Sequence, residues 1–503
     1  MSIGWTRELD EDGVVRLAEI LALKLRQGDA VALKGDLGAG KTTLARALIR
    51  ALLGDDAAEV SSPTFSLRQS YETRRLGVSH FDFYRLGDAD ELFELGIDDA
   101  LASGAAIVEW PERADGALPE NRFDIALEET EQADHRRVSV RGHGTAAARV
   151  ARVGEVLDFL DRSMTWGDAR IGYLQGDASA RSYARLTKGT RTALLMDAPR
   201  QPDGPPIRDG KSYSRIAHLA EDTVRPFSAV AQALKEAGLS APAILDQDAG
   251  RGFMLVEDLG DQVFAAEVAR DGLRMDELWR AAVDALLAVR GARVPDTVPA
   301  YDAEALGIEV ELLLDWYWPA LKGAPAPASA RAEFLELWRP LFERLQRQPQ
   351  VLVLRDFHSP NLIWLPERSG VERVGIIDFQ DAQRGSAAYD LASLLQDARV
   401  DVPAPLEEEL FAYYCGRLAE ATPGFDRSEL QIAYNALGAQ RNTKILGIFV
   451  RLAHRDGKRQ YLAHLPRIWG YLERNLTHVS LAPLATWYEK HFPMTVRDGA
   501  LPG

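Results

Sequence analysis

Short apolar runs alternate with helical repeats of apolar residues over the first third of the chain. The run AVALKG (30–35) predicts a buried strand, KTTLARALIRALLG (41–54) predicts a helix closed by Gly54, and AAIVEW (105–110) predicts another strand. Strands and helices in alternation are typical of an α/β domain on a mostly parallel sheet.

The pattern changes from about residue 166. ARSYARLTKG (180–189) and RTALLMDAP (191–199) predict an antiparallel strand pair with a polar turn, whereas 265–350 and 405–503 repeat with helical periodicity. A small β-rich lobe followed by a large helical lobe is the outline of a bilobal, protein-kinase-like fold. We place the seam at 145–165 and predict domains at 1–150 and 163–503, the helix through Leu160 remaining unassigned.

Composition limits the classes of function. The 503 residues are 46% hydrophobic and 27% charged, with a net charge of −16, which disfavours a strong, sequence-independent grip on nucleic acid. The single cysteine, Cys415, cannot form an internal disulfide. The N-terminus has no signal-peptide pattern and no apolar run approaches membrane length, so we expect a cytoplasmic protein without a membrane partner.

A phosphate-binding loop follows the first predicted buried strand. Gly35, Gly40, Lys41 and Thr42 satisfy the pattern GxxxxGK[ST] between a strand and a helix. Backbone N–H groups and the helix N-terminus attract phosphates there, and the Thr hydroxyl can bind Mg²⁺. We therefore expect ATP at a loop whose contact residues are Gly35, Gly38, Ala39, Gly40, Lys41, Thr42 and Thr43.

Two acids stand at or beside apolar strands downstream of this loop. Asp82 lies in HFDFYRL (80–86) and Glu109 in IVEWPE (107–112). Either acid alone would more often cap a strand end, but together with a P-loop they favour a metal site. Thr42, Asp82 and Glu109 are the predicted Mg²⁺ ligands of the first domain.

The motifs GDLGAGKTTL, SSPTF, HFDFYRL, ELFELGI and VEWPE occur in this order between residues 35 and 112. This set resembles the small ATPase subunit of the bacterial tRNA threonylcarbamoyladenosine synthesis machinery, over roughly residues 5–140. The resemblance implies an ATPase that works with partner subunits acting on adenosine 37 of tRNA. It also implies that Glu109 and Asp82 complete the metal and water site, with Glu109 catalytic, and that Thr64 lies in a switch-like loop.

A second phosphate-handling motif lies at VLRDFHSPNLIW (353–364). Asp356 and Asn361 have the spacing of a kinase catalytic loop, and a hairpin through VERVGIIDF would bring Asp378 beside Asn361. Phosphoryl transfer needs a carboxylate at the acceptor hydroxyl and oxygen ligands for Mg²⁺. Asp356 is the predicted catalytic base, and Asn361 and Asp378 are the predicted metal ligands.

Two upstream segments fit nucleotide binding in the same domain. GDASARSY (176–183) lies where a loop covering the phosphates is expected. LVEDLG (255–260) lies where a hinge between the lobes would bind adenine through backbone groups. Ser179, Arg181 and Glu257 are the predicted ATP contacts of these segments.

The segments GDASARSYARL, LLMDAP, LRDFHSPNLIWL, IIDFQDAQRGSAAYDLASLLQDARV and QRNTKILGIFVRLAHRDGKRQYLAHLPR resemble the aminoglycoside and choline phosphotransferase superfamily. Within it they are similar to the anomeric kinases for N-acetylmuramate and N-acetylglucosamine of cell-wall recycling, over about 165–490. Two departures stand out: Leu354 replaces the usual His before Arg-Asp, and RTALLMDAP has no Lys for the phosphates. Arg181 or Lys188 could substitute for that Lys, or the segment LMDAP could mark a branch that works without it.

A basic face of a predicted helix near the C-terminus could bind the substrate. Arg441, Lys444 and Arg451 recur on one predicted helix beside apolar residues. Arg441 and Lys444 are the predicted contacts to an amino sugar, for example to a lactyl carboxylate, and Asp390 is expected to brace the catalytic loop.

Other readings remain open. The C-terminal half could be an aminoglycoside- or choline-type kinase, or a catalytically silent docking domain. The N-terminal half could be a stand-alone nucleoside or shikimate-type kinase, although the second acceptor pocket and arginine lid of such an enzyme are not identifiable in the sequence.

Overall fold

The computed structural model describes residues 3–73, 75–86, 95–114, 118–174 and 181–497. Its backbone divides into two units. The first contains Met1–Pro199 with Ile244–Asp258, and the second contains Arg200–Ala243 with Leu259–Gly503.

A seven-stranded mixed sheet forms the centre of the N-terminal part. Its order across the sheet is β1 (Ile3–Leu9), β7 (Arg136–His143), β6 (Arg122–Glu129), β2 (Ala30–Lys34), β5 (Gly104–Glu109), β4 (Gly77–Asp82) and β3 (Arg68–Tyr71). The central strands β6, β2, β5 and β4 run parallel, as the sequence predicts, whereas β1, β7 and β3 pair antiparallel at the edges. Strand β2 is buried apart from its last residue, because its neighbours cover it on both sides.

Helices α1 (Glu11–Lys24), α2 (Lys41–Leu53), α3 (Ile97–Ser103) and α4 (Ala146–Asp161) accompany this sheet. Asp10 caps α1 by accepting a hydrogen bond from the N–H of Gly13 at 2.8 Å. Helix α2 starts directly after Gly40, whose φ of 103° suits glycine, and it ends at the left-handed Gly54 as predicted.

A five-stranded antiparallel sheet belongs to the same unit. Its order is β13 (Ile244–Asp248), β14 (Phe253–Glu257), β10 (Arg191–Asp197), β9 (Ser182–Lys188) and β8 (Arg170–Leu174). The predicted pair is present: β9 and β10 are joined by a turn at Gly189, with Arg191 opposite Lys188.

The second unit is mostly helical. Its helices are α5 (Tyr213–Ile216), α6 (Val224–Glu236), α7 (Phe264–Arg270), α8 (Met275–Gly291), α9 (Ala303–Leu312), α10 (Trp318–Lys322), α11 (Ala328–Gln346), α12 (Ala388–Leu395), α13 (Ala404–Ala421), α14 (Arg427–Arg455), α15 (Leu465–Leu476), α16 (Ala482–His491) and α17 (Met494–Arg497). Short antiparallel pairs join β11 (Pro206–Arg208) to β12 (Lys211–Ser212), β15 (Val351–Val353) to β18 (Gln383–Gly385), and β16 (Leu362–Trp364) to β17 (Val374–Ile376). Cys415 is buried on α13.

Helix α14 spans 29 residues and lies deep in this unit, and its polar side chains Asn435, Gln440, Asn442 and Thr443 are buried with its apolar ones. Across the described ranges, no helix combines the length and apolar character needed to cross a bilayer.

Two candidate active sites

The P-loop and its two acids meet at one edge of the seven-stranded sheet. Parallel strands end at a common edge, so the residues that follow β2, β5 and β4 are neighbours. Register places Leu33 opposite Glu109 and Glu109 opposite Asp82. A cavity of about 300 Å³ opens there, lined in part by Gly38, Gly40, Lys41, Thr42, Thr43, Thr64, Asp82 and Glu109.

Hydroxyls hold both acids in place. Thr42 Oγ1 donates to Glu109 Oε2 at 2.8 Å, and Thr64 Oγ1 donates to Asp82 Oδ2 at 3.0 Å. His80 Nε2 lies 3.0 Å from Glu109 Oε1 and is fully buried, a contact that sequence reasoning missed. Its signal was present: His80 and Asp82 are two apart on one strand, so they share a face.

Lys41 is folded back onto the loop. Its ammonium donates to the carbonyl oxygens of Gly35 and Asp36 at 2.7 and 2.8 Å and lies 3.7 Å from the centroid of the Trp110 ring. Burial lowers the pKa of Lys41, and the charge of Glu109 acts in the opposite direction. Gly35 must remain glycine, because an added Cβ would lie 2.4 Å from the carbonyl oxygen of Leu127.

The kinase-like catalytic loop lies in the second unit, between β15 and β16. The predicted hairpin β16–β17 forms, with Leu362 opposite Ile376, and it delivers Asp378 to Asn361. Asn361 Nδ2 donates to the carbonyl oxygen of Asp356 at 3.0 Å and lies 3.4 Å from Asp378 Oδ2. The three predicted residues are therefore brought together.

Two residues at this site, one in the loop and one after β17, have left-handed backbones. Arg355 has φ of 69° and Asp378 has φ of 61°, conformations that non-glycine residues rarely adopt and that cluster at functional sites. Gln380 Nε2 donates to Asp378 Oδ1 at 3.0 Å, a second contact missed from sequence.

Buried acids hold the backbone of this loop. Asp390 accepts from the N–H groups of Leu354 and Arg355 at 2.7 and 2.9 Å, as expected for a bracing residue, and Asp397 accepts from the N–H of Ser359 at 2.7 Å. Burial raises the pKa of Asp390 to about 7, and the two N–H groups act against that shift.

The charges around Asp356 favour its ionised form. Burial alone would raise the pKa of Asp356, but the nearby charges of His358, Lys444, Arg355 and Arg441 together hold it below its ordinary value. Asp356 thus stays a carboxylate at neutral pH and can accept a hydrogen bond from a hydroxyl.

Behind the loop lies a buried ionic network that the sequence did not reveal. Glu309, on α9, is fully buried and accepts from Lys444 Nζ at 3.0 Å, from Gln440 Nε2 at 3.0 Å, from Arg355 and from Tyr301. The positive charges of Lys444 and Arg355 offset the effect of burial and lower the pKa of Glu309.

The two predicted substrate contacts on α14 differ in their partners. Lys444 donates to Glu309 and lies 3.3 Å from the Tyr389 hydroxyl. Arg441 is 5% exposed, and its Nη1 has no hydrogen-bond partner among the described residues. Arg441 therefore has donor capacity left for a ligand, whereas Lys444 is engaged behind the loop.

The predicted ATP contacts of the five-stranded sheet are only partly described. Ser179 lies outside the described residues. In the first domain, residues 91–94 of the motif ELFELGI also lie outside them. Arg181 precedes β9, and Glu257 ends β14. Lys188 ends β9 and pairs with Asp168.

A cation that sequence reasoning overlooked is Arg185 in the middle of β9. It lies opposite Leu194 of β10 and pairs with Asp258 through Nε at 2.7 Å. Since Ala184 and Leu186 point into the apolar core, Arg185 lies on the opposite face of the sheet.

Comparison with known proteins finds a family match for each of the two parts of the chain. The phosphotransferase enzyme family matches residues 171–430, more than half of the chain. The chain belongs to this family. Residues 9–138 match a second family, described as threonylcarbamoyl adenosine biosynthesis protein TsaE, so a TsaE domain precedes the phosphotransferase-family kinase domain. The expected combination of a P-loop domain and a kinase-like domain is confirmed.

Curated relatives divide in the same way. An N-acetylmuramate/N-acetylglucosamine kinase of Caulobacter vibrioides is 38% identical over 349 residues, covering 66% of this chain and 94% of the relative. A kinase with the same description from Pseudomonas aeruginosa is 35% identical, covering 61% and 85%. A tRNA threonylcarbamoyladenosine biosynthesis protein TsaE of Rickettsia felis is 38% identical over 119 residues, covering 24% and 69%.

Proposed function

We propose that the kinase domain transfers the γ-phosphoryl group of ATP to the anomeric C1 hydroxyl of N-acetylmuramate and N-acetylglucosamine. The observation that carries this proposal is the assembly of Asp356, Asn361 and Asp378 around one loop, held by buried acids. The similarity to curated kinases for these two sugars supports the choice of acceptor.

The residues divide the chemistry between them. Asp356 orients the C1 hydroxyl and takes its proton as the hydroxyl oxygen bonds to the γ-phosphorus, while the bond to the β–γ bridging oxygen breaks and ADP leaves with that electron pair. The adjacent side-chain oxygens of Asn361 and Asp378 suit Mg²⁺, which prefers oxygen ligands and usually retains waters. Bound there, the ion would neutralise phosphate charge.

Substrate recognition is assigned to Arg441. Its buried guanidinium has an unpartnered N–H and lies near enough to Asp356 to affect the pKa of that residue. N-acetylmuramate carries a lactyl carboxylate that such a group can bind, whereas N-acetylglucosamine has none. Lys444 contributes through Glu309 and Tyr389.

The test is to offer the full chain ATP with N-acetylmuramate, N-acetylglucosamine or kanamycin, and to identify the product by phosphorus NMR. The expected product is a sugar 1-phosphate without a reducing end. Phosphorylated kanamycin alone would favour an aminoglycoside kinase. Sugar phosphorylation that persists unchanged in Asp356→Asn would remove the assignment of Asp356, and no product with any acceptor would favour a docking domain.

We also propose that the TsaE domain hydrolyses ATP in support of tRNA threonylcarbamoyladenosine synthesis, together with the partner subunits of that reaction. The cavity lined by Lys41, Thr42, Asp82 and Glu109 carries this second proposal. Thr42, Asp82 and Glu109 offer oxygens for Mg²⁺, and Glu109, fixed by His80, can orient a water.

Hydrolysis should be slow in the isolated chain, rise when the partner subunits are added, and be lost in Lys41→Ala. Rapid phosphorylation of a small acceptor by this domain alone would contradict the proposal.

A further inference from the structure

One face of the five-stranded kinase sheet is buried against the TsaE domain. Ala184 and Leu186 of β9 and Ala193 and Leu195 of β10 are at most 2% exposed. They belong to one continuous apolar cluster with residues of α1, α2 and α4. An apolar sheet face must be covered by another layer, and here the covering layer is the TsaE domain.

Helix α2 connects this cluster to the P-loop. The helix begins at Lys41, and its buried residues Leu44, Leu48 and Ile49 lie in the same cluster as the kinase strands. Helix α1 packs beside it and contributes Leu17 and Leu21. Helix α2 therefore extends from the P-loop of the TsaE domain to the apolar core beneath the five-stranded sheet of the kinase domain.

Helix α4 lies between the two sheets and belongs to neither domain alone. On the TsaE side, Trp5 Nε1 donates to the carbonyl oxygen of Val150 at 3.0 Å. On the kinase side, Phe159 stacks on Phe253 with centroids 5.3 Å apart, and the Arg152 guanidinium lies 3.7 Å from the Phe253 ring. The helix that the sequence left unassigned thus joins the two domains.

Each domain contributes one buried carboxylate that has a charged partner across the contact. Asp197 of β10 is 4% exposed; it accepts from Arg152 Nε at 2.9 Å and pairs with Lys24 of α1. Glu19 of α1 is 3% exposed; it accepts from the N–H of Ile171 at 2.9 Å and pairs with Arg170. Removing the cationic partners would leave Asp197 or Glu19 as an uncompensated buried carboxylate, so these contacts favour a permanent interface over an occasional one.

We infer that this face of the kinase sheet is a permanent docking surface for the TsaE domain, that both unfold as one cooperative unit, and that nucleotide at the P-loop stabilises the kinase sheet. The nucleotide part rests on the proposed binding of ATP by the P-loop. The shared unit rests only on the packing.

Native-state hydrogen exchange on the full chain tests the shared unit. Leu48→Ala leaves a cavity in α2, far along the chain from β9 and β10. Exchange in β9 and β10 should accelerate by the same factor as in β2, about tenfold or more. If Leu48→Ala speeds exchange in β2 but leaves exchange in β9 and β10 at the wild-type rate, the inference is overturned. If Leu48→Ala fails to fold, Ile49→Val asks the same question with a smaller factor of about two to ten.

The nucleotide effect is measured by adding Mg-ADP to the wild type and to Lys41→Ala. Both chains retain the kinase domain's own nucleotide residues, so the difference between them reports the P-loop. We expect Mg-ADP to slow exchange in β9 and β10 more in the wild type than in Lys41→Ala. The coupling would be overturned if Mg-ADP slowed exchange in β9 and β10 equally in both chains while it protected β2 in the wild type alone. If β2 is not protected either, the proposed nucleotide site fails while the shared unit stands.

Discussion

Arg441 provides a test that separates substrate recognition from structure. With the two proposed substrates, we expect Arg441→Met to lower kcat/KM for N-acetylmuramate relative to kcat/KM for N-acetylglucosamine. Met fills much of the same volume without the charge, so the variant removes the unpartnered N–H groups and little of the packing around α14.

The size of the effect follows from the environment of the guanidinium. A hydrogen bond between charged groups contributes about 1.5–3 kcal/mol, and the low exposure of Arg441 keeps water from competing. This corresponds to a loss of about 10- to 150-fold in kcat/KM for N-acetylmuramate. N-acetylglucosamine has no carboxylate and should lose much less, so the ratio of the two kcat/KM values should fall by about the same factor.

The assay is ADP release measured with each sugar over a range of concentrations. Lys444→Met is the matched control, because Lys444 contacts Glu309 and Tyr389 and should affect both sugars alike. Removing the charge of Arg441 should also raise the pKa of Asp356, which moves the acid limb of the kcat profile to higher pH for both sugars. An unchanged ratio of the two kcat/KM values in Arg441→Met would refute the proposed role of Arg441.

Three further outcomes are expected. Glu309→Gln leaves Arg355 and Lys444 without their buried counter-charge, so urea unfolding should show a loss of about 3–5 kcal/mol; a stability equal to wild type would show that the network is dispensable. Arg185→Ala should raise the KM for ATP in sugar phosphorylation, if Arg185 replaces the missing Lys, while the KM for the sugar stays constant. Burial raises the pKa of Glu19 above its ordinary 4.5, against the charge of Arg170, so its contribution to stability is present below that value and is lost as the pH rises through the folded-state pKa. Glu19→Gln should therefore flatten the fall in urea midpoint above pH 4.5, and a steeper fall would contradict this sign.

The motifs were sufficient to predict which residues the structure brings together at each candidate site, because most of each motif occupies a short stretch of chain. Gly40, Lys41 and Thr42 are consecutive, and Asp356 and Asn361 are five apart, so local backbone geometry brings them together. The hairpin that returns Asp378 is also local, since its two strands are joined directly by residues 365–373. Binary pattern likewise located β2, α2 and the β9–β10 pair.

Other features required the tertiary structure. Glu309 is 46 residues from Arg355 and 135 from Lys444 along the chain, and no spacing rule links them. Their meeting depends on how α9 and α14 pack, which is decided by the fit of many apolar side chains rather than by any one segment. The antiparallel edges of the first sheet were missed for a related reason: alternation predicts a strand but not its neighbour.

The sequence by itself predicted a P-loop motif and a kinase-like catalytic loop, together with the residues expected to act in each. Only the tertiary structure decided how the domains are joined. Asp197, in the segment LLMDAP, faces the TsaE domain because it shares the strand face of Ala193 and Leu195. Its partners Lys24 and Arg152 lie 173 and 45 residues away along the chain. Burial of a charge is stable only with such a partner, and long-range packing alone can supply one.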